Sequence, residues 1–199
     1  MLTLVLACAE PTAAATATCA CDGIPDVEPV SSETALLELL LATRDATFPG
    51  EYALALSAEA NLAYFRASID SDSLAGDRVY VVSYDPVILD DPPAAGALGA
   101  ILVHELGHVE DYRLMENAEY VEFGLWYGAQ DPATSDELRD YERATDEKAL
   151  QRGCAEGLAA MREWIYAHAT PEVRAEKERN YYTPAEIEAW VAESGRCPG

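Results

Sequence analysis

The stretch AAGALGAILVHELGHVEDYRLM, residues 94–115, decides how this chain is read. Ile101, Leu102, Val103 and Leu106 crowd the polar residues at its middle with apolar side chains. The segment therefore reads as a long helix buried in the centre of the fold, and its buried polar residues need partners. Residues four apart lie one above the other on a helix, so His104 and His108 project their imidazoles from one face, at a spacing that one metal ion can span. Glu105 sits one residue round and can reach water on such an ion without binding the ion itself. Two of the three histidines of the chain fall in this pentapeptide.

Working outward, Arg78-Val79-Tyr80-Val81-Val82-Ser83-Tyr84 is β-branched and aromatic, the best strand in the sequence, and Asp85-Pro86 ends it. Residues 32–48 carry Leu36, Leu37, Leu39, Leu40 and Leu41 and read as a buried first helix stopped by Pro49-Gly50. Residues 52–69 read as a second helix. Beyond the central helix everything reads helical. Thr134 and Glu137 form a possible capping box for a helix through Tyr141 to Gln151, with Gly153 as its stop. A further helix covers 156–169, ended by Pro171. Thr183-Pro184-Ala185-Glu186 opens a last one with a capping Thr, Pro at the first helical position and Glu three residues after the cap. The expectation is one α+β domain over 30–199, mostly helical, with a small sheet or a single edge strand before the central helix. No internal repeat is visible.

HELGH is the HExxH arrangement of zinc metallopeptidases. Two ligands leave a catalytic zinc site one short, and the run Tyr141-Glu142-Arg143-Ala144-Thr145-Asp146-Glu147 on the next helix makes the likeness more specific. Together the two segments resemble the gluzincins, which pair HExxH with a downstream ExxxD. The run is similar to the ExxAD segment of the M48-type peptidases, with Thr145 in place of the usual Ala, and the likeness spans roughly residues 78–153. The resemblance implies a zincin-like domain with one zinc ion held by His104, His108 and Glu142, with Asp146 hydrogen-bonded to a ligating His and Glu105 as general base. Glu142 and Asp146, spaced i,i+4, share a helical face, as those roles require; Glu147 is the lesser alternative for the ligand. Leu114 stands where a metzincin has its third His.

Gluzincins also supply a Tyr or His donor to the tetrahedral intermediate, for which Tyr181, Tyr182 and His168 are candidates. Zincins bind substrate extended along an edge strand above the helix, a place that Val79 to Ser83 matches, although an internal core strand fits that segment nearly as well. The implied activity is hydrolysis of peptide bonds in a peptide or protein. A noncatalytic zinc-containing envelope protein on the same scaffold, and a zinc hydrolase of non-peptide amides, are the alternatives.

With 36 acidic and 13 basic residues the formal charge is -23, which argues against nucleic acid as a partner because phosphate binding needs basic surface. Residues 1–7 read as a lipoprotein signal peptide, although the usual basic start is missing. Val5-Leu6-Ala7-Cys8 resembles a lipobox, so a lipidated Cys8 would attach the chain to a membrane. Residues 8–29 read as tether and lead-in. Setting Cys8 aside leaves Cys19, Cys21, Cys154 and Cys197; the first two are too close to pair comfortably, so each is expected to bridge to Cys154 or Cys197. Such bridges need an oxidising compartment, which places the chain in a bacterial cell envelope, lipid-anchored, or makes it secreted.

Overall fold

The computed structural model describes Cys21, Gly23, Ile24 and residues 30–60 and 64–194. The expected signal peptide over 1–7, Cys8, Cys19 and Cys197 lie outside the described residues. The elements in chain order are α1 (Glu33–Thr47), β1 (Ala53–Ala58), β2 (Phe65–Ile69), β3 (Val79–Tyr84), the short α2 (Val87–Asp90), α3 (Ala95–Leu114), α4 (Asn117–Gly128), α5 (Asp136–Gln151), α6 (Ala155–His168), α7 (Pro171–Asn180) and α8 (Pro184–Ser194). The fold is α+β and mostly helical, as expected. None of the helices among the described residues is long and apolar enough to cross a membrane.

The expected helix over 52–69 is instead two strands, and its failure has a physical cause. Ala and Leu are good helix formers, but propensity is a weak determinant and tertiary pairing overrides it. Phe65, Ala67 and Ile69 are buried while Arg66 is exposed and Ser68 partly so, a two-residue period that only a strand can satisfy. β1 pairs parallel with β3 and β2 pairs antiparallel with it, giving the order β1-β3-β2. The segment expected as an edge strand, Val79 to Ser83, therefore lies in the middle of the sheet. The strand at the edge beside α3 is β2.

α3 is the axis of the molecule and packs against α6, α5, β2 and α1. Leu98, Leu102, Val103, Leu106 and Val109 are fully buried along it. α5 starts one residue later than the capping reading implied. Ser135, not Thr134, accepts the backbone N–H of Leu138, and the Thr134 hydroxyl is engaged by Asp131 instead. Gly153 ends the helix at φ 79°, a left-handed conformation that suits glycine. The Thr183–Glu186 capping box is present, with Glu186 accepting the Thr183 N–H at 2.8 Å. α4 and α7 were not separately resolved in the sequence: Pro171, read as a stop, is the first residue of α7 behind the capping Thr170. Cys21 and Cys154 form a disulfide, which joins the lead-in to the start of α6 across 133 residues of chain and agrees with the pairing expected for Cys21.

α6 approaches α3 closely because Gly157 has no side chain. A Cβ there would fall inside the contact distance of the Gly96 carbonyl oxygen and 2.8 Å from the Ala100 Cβ. Gly157→Ala gains about 1 kcal/mol of helix propensity, but overpacking against backbone costs about 1–3 kcal/mol. The expected outcome is a net loss of stability, seen as a lower urea midpoint with an unchanged slope.

Candidate metal centre

α3 and α5 meet where Gly107 separates the two histidines. A Cβ on Gly107 would lie 3.1 Å from the Thr145 Cγ2 and 3.3 Å from the Lys148 Cδ, so the missing side chain lets α5 come close enough for Glu142 to reach the imidazoles. His104, His108 and Glu142 are buried and form a group that could hold a metal ion. The separations are 3.1 Å between the two Nε2 atoms, 3.4 Å from His104 Nε2 to Glu142 Oε2 and 3.3 Å from His108 Nε2 to the same oxygen. Ligand atoms about 2.0–2.1 Å from a tetrahedral ion lie about 3.3 Å from one another, so the triangle has the size a tetrahedral site requires.

Chemistry agrees with geometry. His104 Nδ1 is 2.8 Å from Asp146 Oδ1, and His108 Nδ1 is 2.9 Å from the Tyr141 hydroxyl. With both Nδ1 atoms so engaged, both Nε2 atoms turn inward. Glu142 Oε1 accepts the Tyr127 hydroxyl at 2.7 Å, whereas Oε2 is buried with no hydrogen-bond partner among the described residues. Three lone pairs thus converge on one point, which is unfavourable unless positive charge sits there. Burial alone would raise the Glu142 carboxyl, but the flanking imidazoles hold it well below the ordinary carboxylate range. Burial likewise works to lower His104, and the hydrogen bond to Asp146 with the adjacent Glu142 carboxylate outweighs it and brings the ring up to about 9.

Asp146 is fully buried and accepts from His104, from Arg162 at 2.8 Å and from the Tyr182 backbone N–H at 2.9 Å. Its carboxyl is held below the usual range by Arg162 and His104 against the opposing effect of burial. Glu105 is buried, lines the same cleft, and has no hydrogen-bond donor on its side chain among the described residues. The cleft, about 210 Å³, is bounded by the α3 residues, by Phe65 to Ser68 of β2, and by Tyr120, Phe123 and Tyr127 of α4.

The other residues singled out in the sequence fall as follows. Tyr181 lines the cleft with its ring 5.7 Å from that of His104, and burial next to Glu142 pushes its phenol well above the ordinary range. The Tyr182 hydroxyl donates to Glu147 at 2.9 Å, its acidity pushed to about 12, and the residue does not line the cleft. His168 is bound to Asp91 at 2.9 Å, away from the cleft. Leu114 is 82% exposed and contributes nothing to the centre. Tyr127, Tyr141, Arg162 and Lys177 were not singled out in the sequence. Only Tyr141, next to Glu142, carried a signal, being one residue away from a suspected ligand.

Replacing Asp146 by Asn keeps the shape but removes the charge that orients the His104 ring. Loss of such a partner costs about 10–100-fold in metal affinity, to be read by chelator competition on Asp146→Asn beside the unaltered chain. An affinity unchanged within twofold would mean that Asp146 only anchors Arg162. No family model matches this chain, and neither the curated proteins nor the solved structures give a match, so the role of the centre is read from its own geometry.

Proposed function

We propose that the chain is a zinc-dependent peptidase of the gluzincin kind, with a zincin-like arrangement of sheet edge, active-site helix and ligand helix. The observation that carries this reading is the convergence of His104 Nε2, His108 Nε2 and Glu142 Oε2 within 3.1–3.4 Å of one another, in a cleft that also holds an unengaged carboxylate. Two imidazoles and one carboxylate are the donor set of catalytic zinc sites that keep a position open for water or substrate. A zinc ion held there supplies a Lewis acid and makes the water it binds more acidic.

The chain's own residues supply the rest. Glu105 takes the proton of the attacking water and returns it to the leaving amine nitrogen, the proton transfers a general base performs. Tyr181, protonated and facing the cleft, donates to the oxygen that gains charge when the carbonyl is attacked. Tyr182 is committed to Glu147, which favours Tyr181 for this part. The outer edge of β2 borders the cleft and offers backbone groups to an extended peptide, a mode in which main-chain bonds give affinity and side-chain pockets give selectivity. The Cys21–Cys154 disulfide supports an oxidising compartment, in keeping with attachment to a bacterial envelope through Cys8 or with secretion.

Glu105→Gln is expected to keep about one zinc per chain while hydrolysis of an unfolded protein substrate falls about 10²–10⁴-fold. Glu142→Ala is expected to lose zinc and hydrolysis together. Metal content by atomic emission and a fluorogenic peptide-release assay read the two quantities. Full zinc occupancy in the unaltered chain with no hydrolysis of any unfolded protein would sink the peptidase reading and leave a zinc-containing binding protein.

A further inference from the structure

Beside the main cleft lies a smaller cavity of about 20 Å³ that shares Phe65, His104, Glu105 and Tyr181 with it. Its far wall is formed by Arg162 and Lys177, with apolar residues such as Ile101 and Ile165 between. Lys177 is 7% exposed. Among the described residues its ammonium has neither a hydrogen-bond partner nor an ion-pair partner; it rests on the Tyr181 ring, 4.7 Å from the centroid. A contact of that kind returns less than it costs to take an ion out of water, so Lys177 is not kept for stability. Burial also depresses its pKa from the ordinary lysine range.

The contrast with Arg162 is informative. That guanidinium is still more deeply buried and also lies on the Tyr181 ring, at 4.5 Å, but its charge is met by Asp146 at 2.8 Å. Among the described residues Lys177 has no carboxylate within ion-pair distance; Glu176, Glu142 and Glu105 act on it only from further off. It is one of only two lysines in a chain of formal charge -23, and it sits beside the proposed scissile position in a recess with room for the oxygen end of a ligand but not for a whole side chain.

We propose that Lys177 is the anchor of a carboxylate subsite, so that the chain selects substrates carrying a free carboxylate next to the bond it acts on. The carboxylate is the chain terminus of a short peptide or an acidic side chain. An ammonium on a flexible stem serves as a point charge for either source. This rests on the peptidase reading for the meaning of the subsite, but binding is measurable without turnover.

The test uses the full-length, zinc-loaded Glu105→Gln protein and three probes in isothermal titration: N-acetyl-alanyl-alanine, its carboxamide, and N-acetyl-alanyl-glutamate carboxamide. At least tenfold tighter binding of the first probe over the second is expected if the terminus is read, and of the third over the second if a side chain is read. In either case the preference disappears when Lys177→Met is added. Lys177→Met is also expected to melt no lower than its parent, since it removes an uncompensated buried charge, whereas a lysine kept for structure would lower the midpoint. Lys177→Gln serves as a second variant should Met pack poorly. Equal binding of all three probes, no binding of any, or a preference that survives both substitutions overturns the proposal. Carboxylate-selective binding with no hydrolysis by the unaltered chain would overturn the peptidase reading alone. Hydrolysis without carboxylate preference would overturn this inference alone.

Discussion

The rest of the structure depends on one buried carboxylate. Asp146 has no exposed surface, and it ties α5 to His104 of α3, to Arg162 of α6 and to the backbone that leads into α8. Taking a carboxylate out of water costs several kcal/mol even after relaxation, and here three donors offset that cost. Because each donor comes from a different segment, a slip of any one helix along α3 would leave a charge unpaired. Asp146 thus fixes the relative register of the helices and, by the same bonds, the direction in which His104 presents Nε2.

That fixed direction makes the centre demanding. His108 Nε2 and Glu142 Oε2 are held at 3.1 Å and 3.4 Å from His104 Nε2, with no protein hydrogen bond to Oε2. Either a proton on an imidazole or a cation between the three atoms relieves the repulsion. The elevated His104 pKa expresses the first solution, and the tetrahedral size of the triangle matches the second. A metal taken up there would compete with protons for the same lone pairs, the ordinary linkage between ligation and ionisation.

The parts of this arrangement that are local were legible in the sequence. HELGH needed only helical periodicity to set two imidazoles on one face, and Glu142 with Asp146 needed only i,i+4 spacing to set two carboxylates on another. What the sequence did not disclose is non-local. Ala53 to Ala58 and Phe65 to Ile69 are strands because β3 pairs with both, although the Ala- and Leu-rich composition of the first points to helix. The same error hid the true sheet edge, since without β1 and β2 the segment Val79–Tyr84 had no neighbours to make it central. Arg162 lies 16 residues from Asp146 and Lys177 lies still further along, and no spacing rule connects either to the cleft. Tyr181 and Tyr182 are adjacent in sequence and were equivalent candidates. They part because the segment between α7 and α8 turns one ring towards His104 and the other towards Glu147.

The buried polar groups around α3 then divide by whether the protein itself satisfies them. Asp146, Asn180 and Nη2 of Arg162 find their partners within the chain: Asp146 and Arg162 Nη2 each other, and Asn180 the Pro132 carbonyl and Arg179. These are the groups that specify the fold. Among the described residues Glu142 Oε2, the Glu105 carboxylate and the Lys177 ammonium have no hydrogen-bond partner, and Glu142 Oε2 is in addition shut off from solvent. Each lines one of two neighbouring cavities that share Phe65, His104, Glu105 and Tyr181. The three line neighbouring cavities beside α3, whose Leu98, Leu102 and Leu106 are fully buried, and the proposed function gives each of them a ligand to meet.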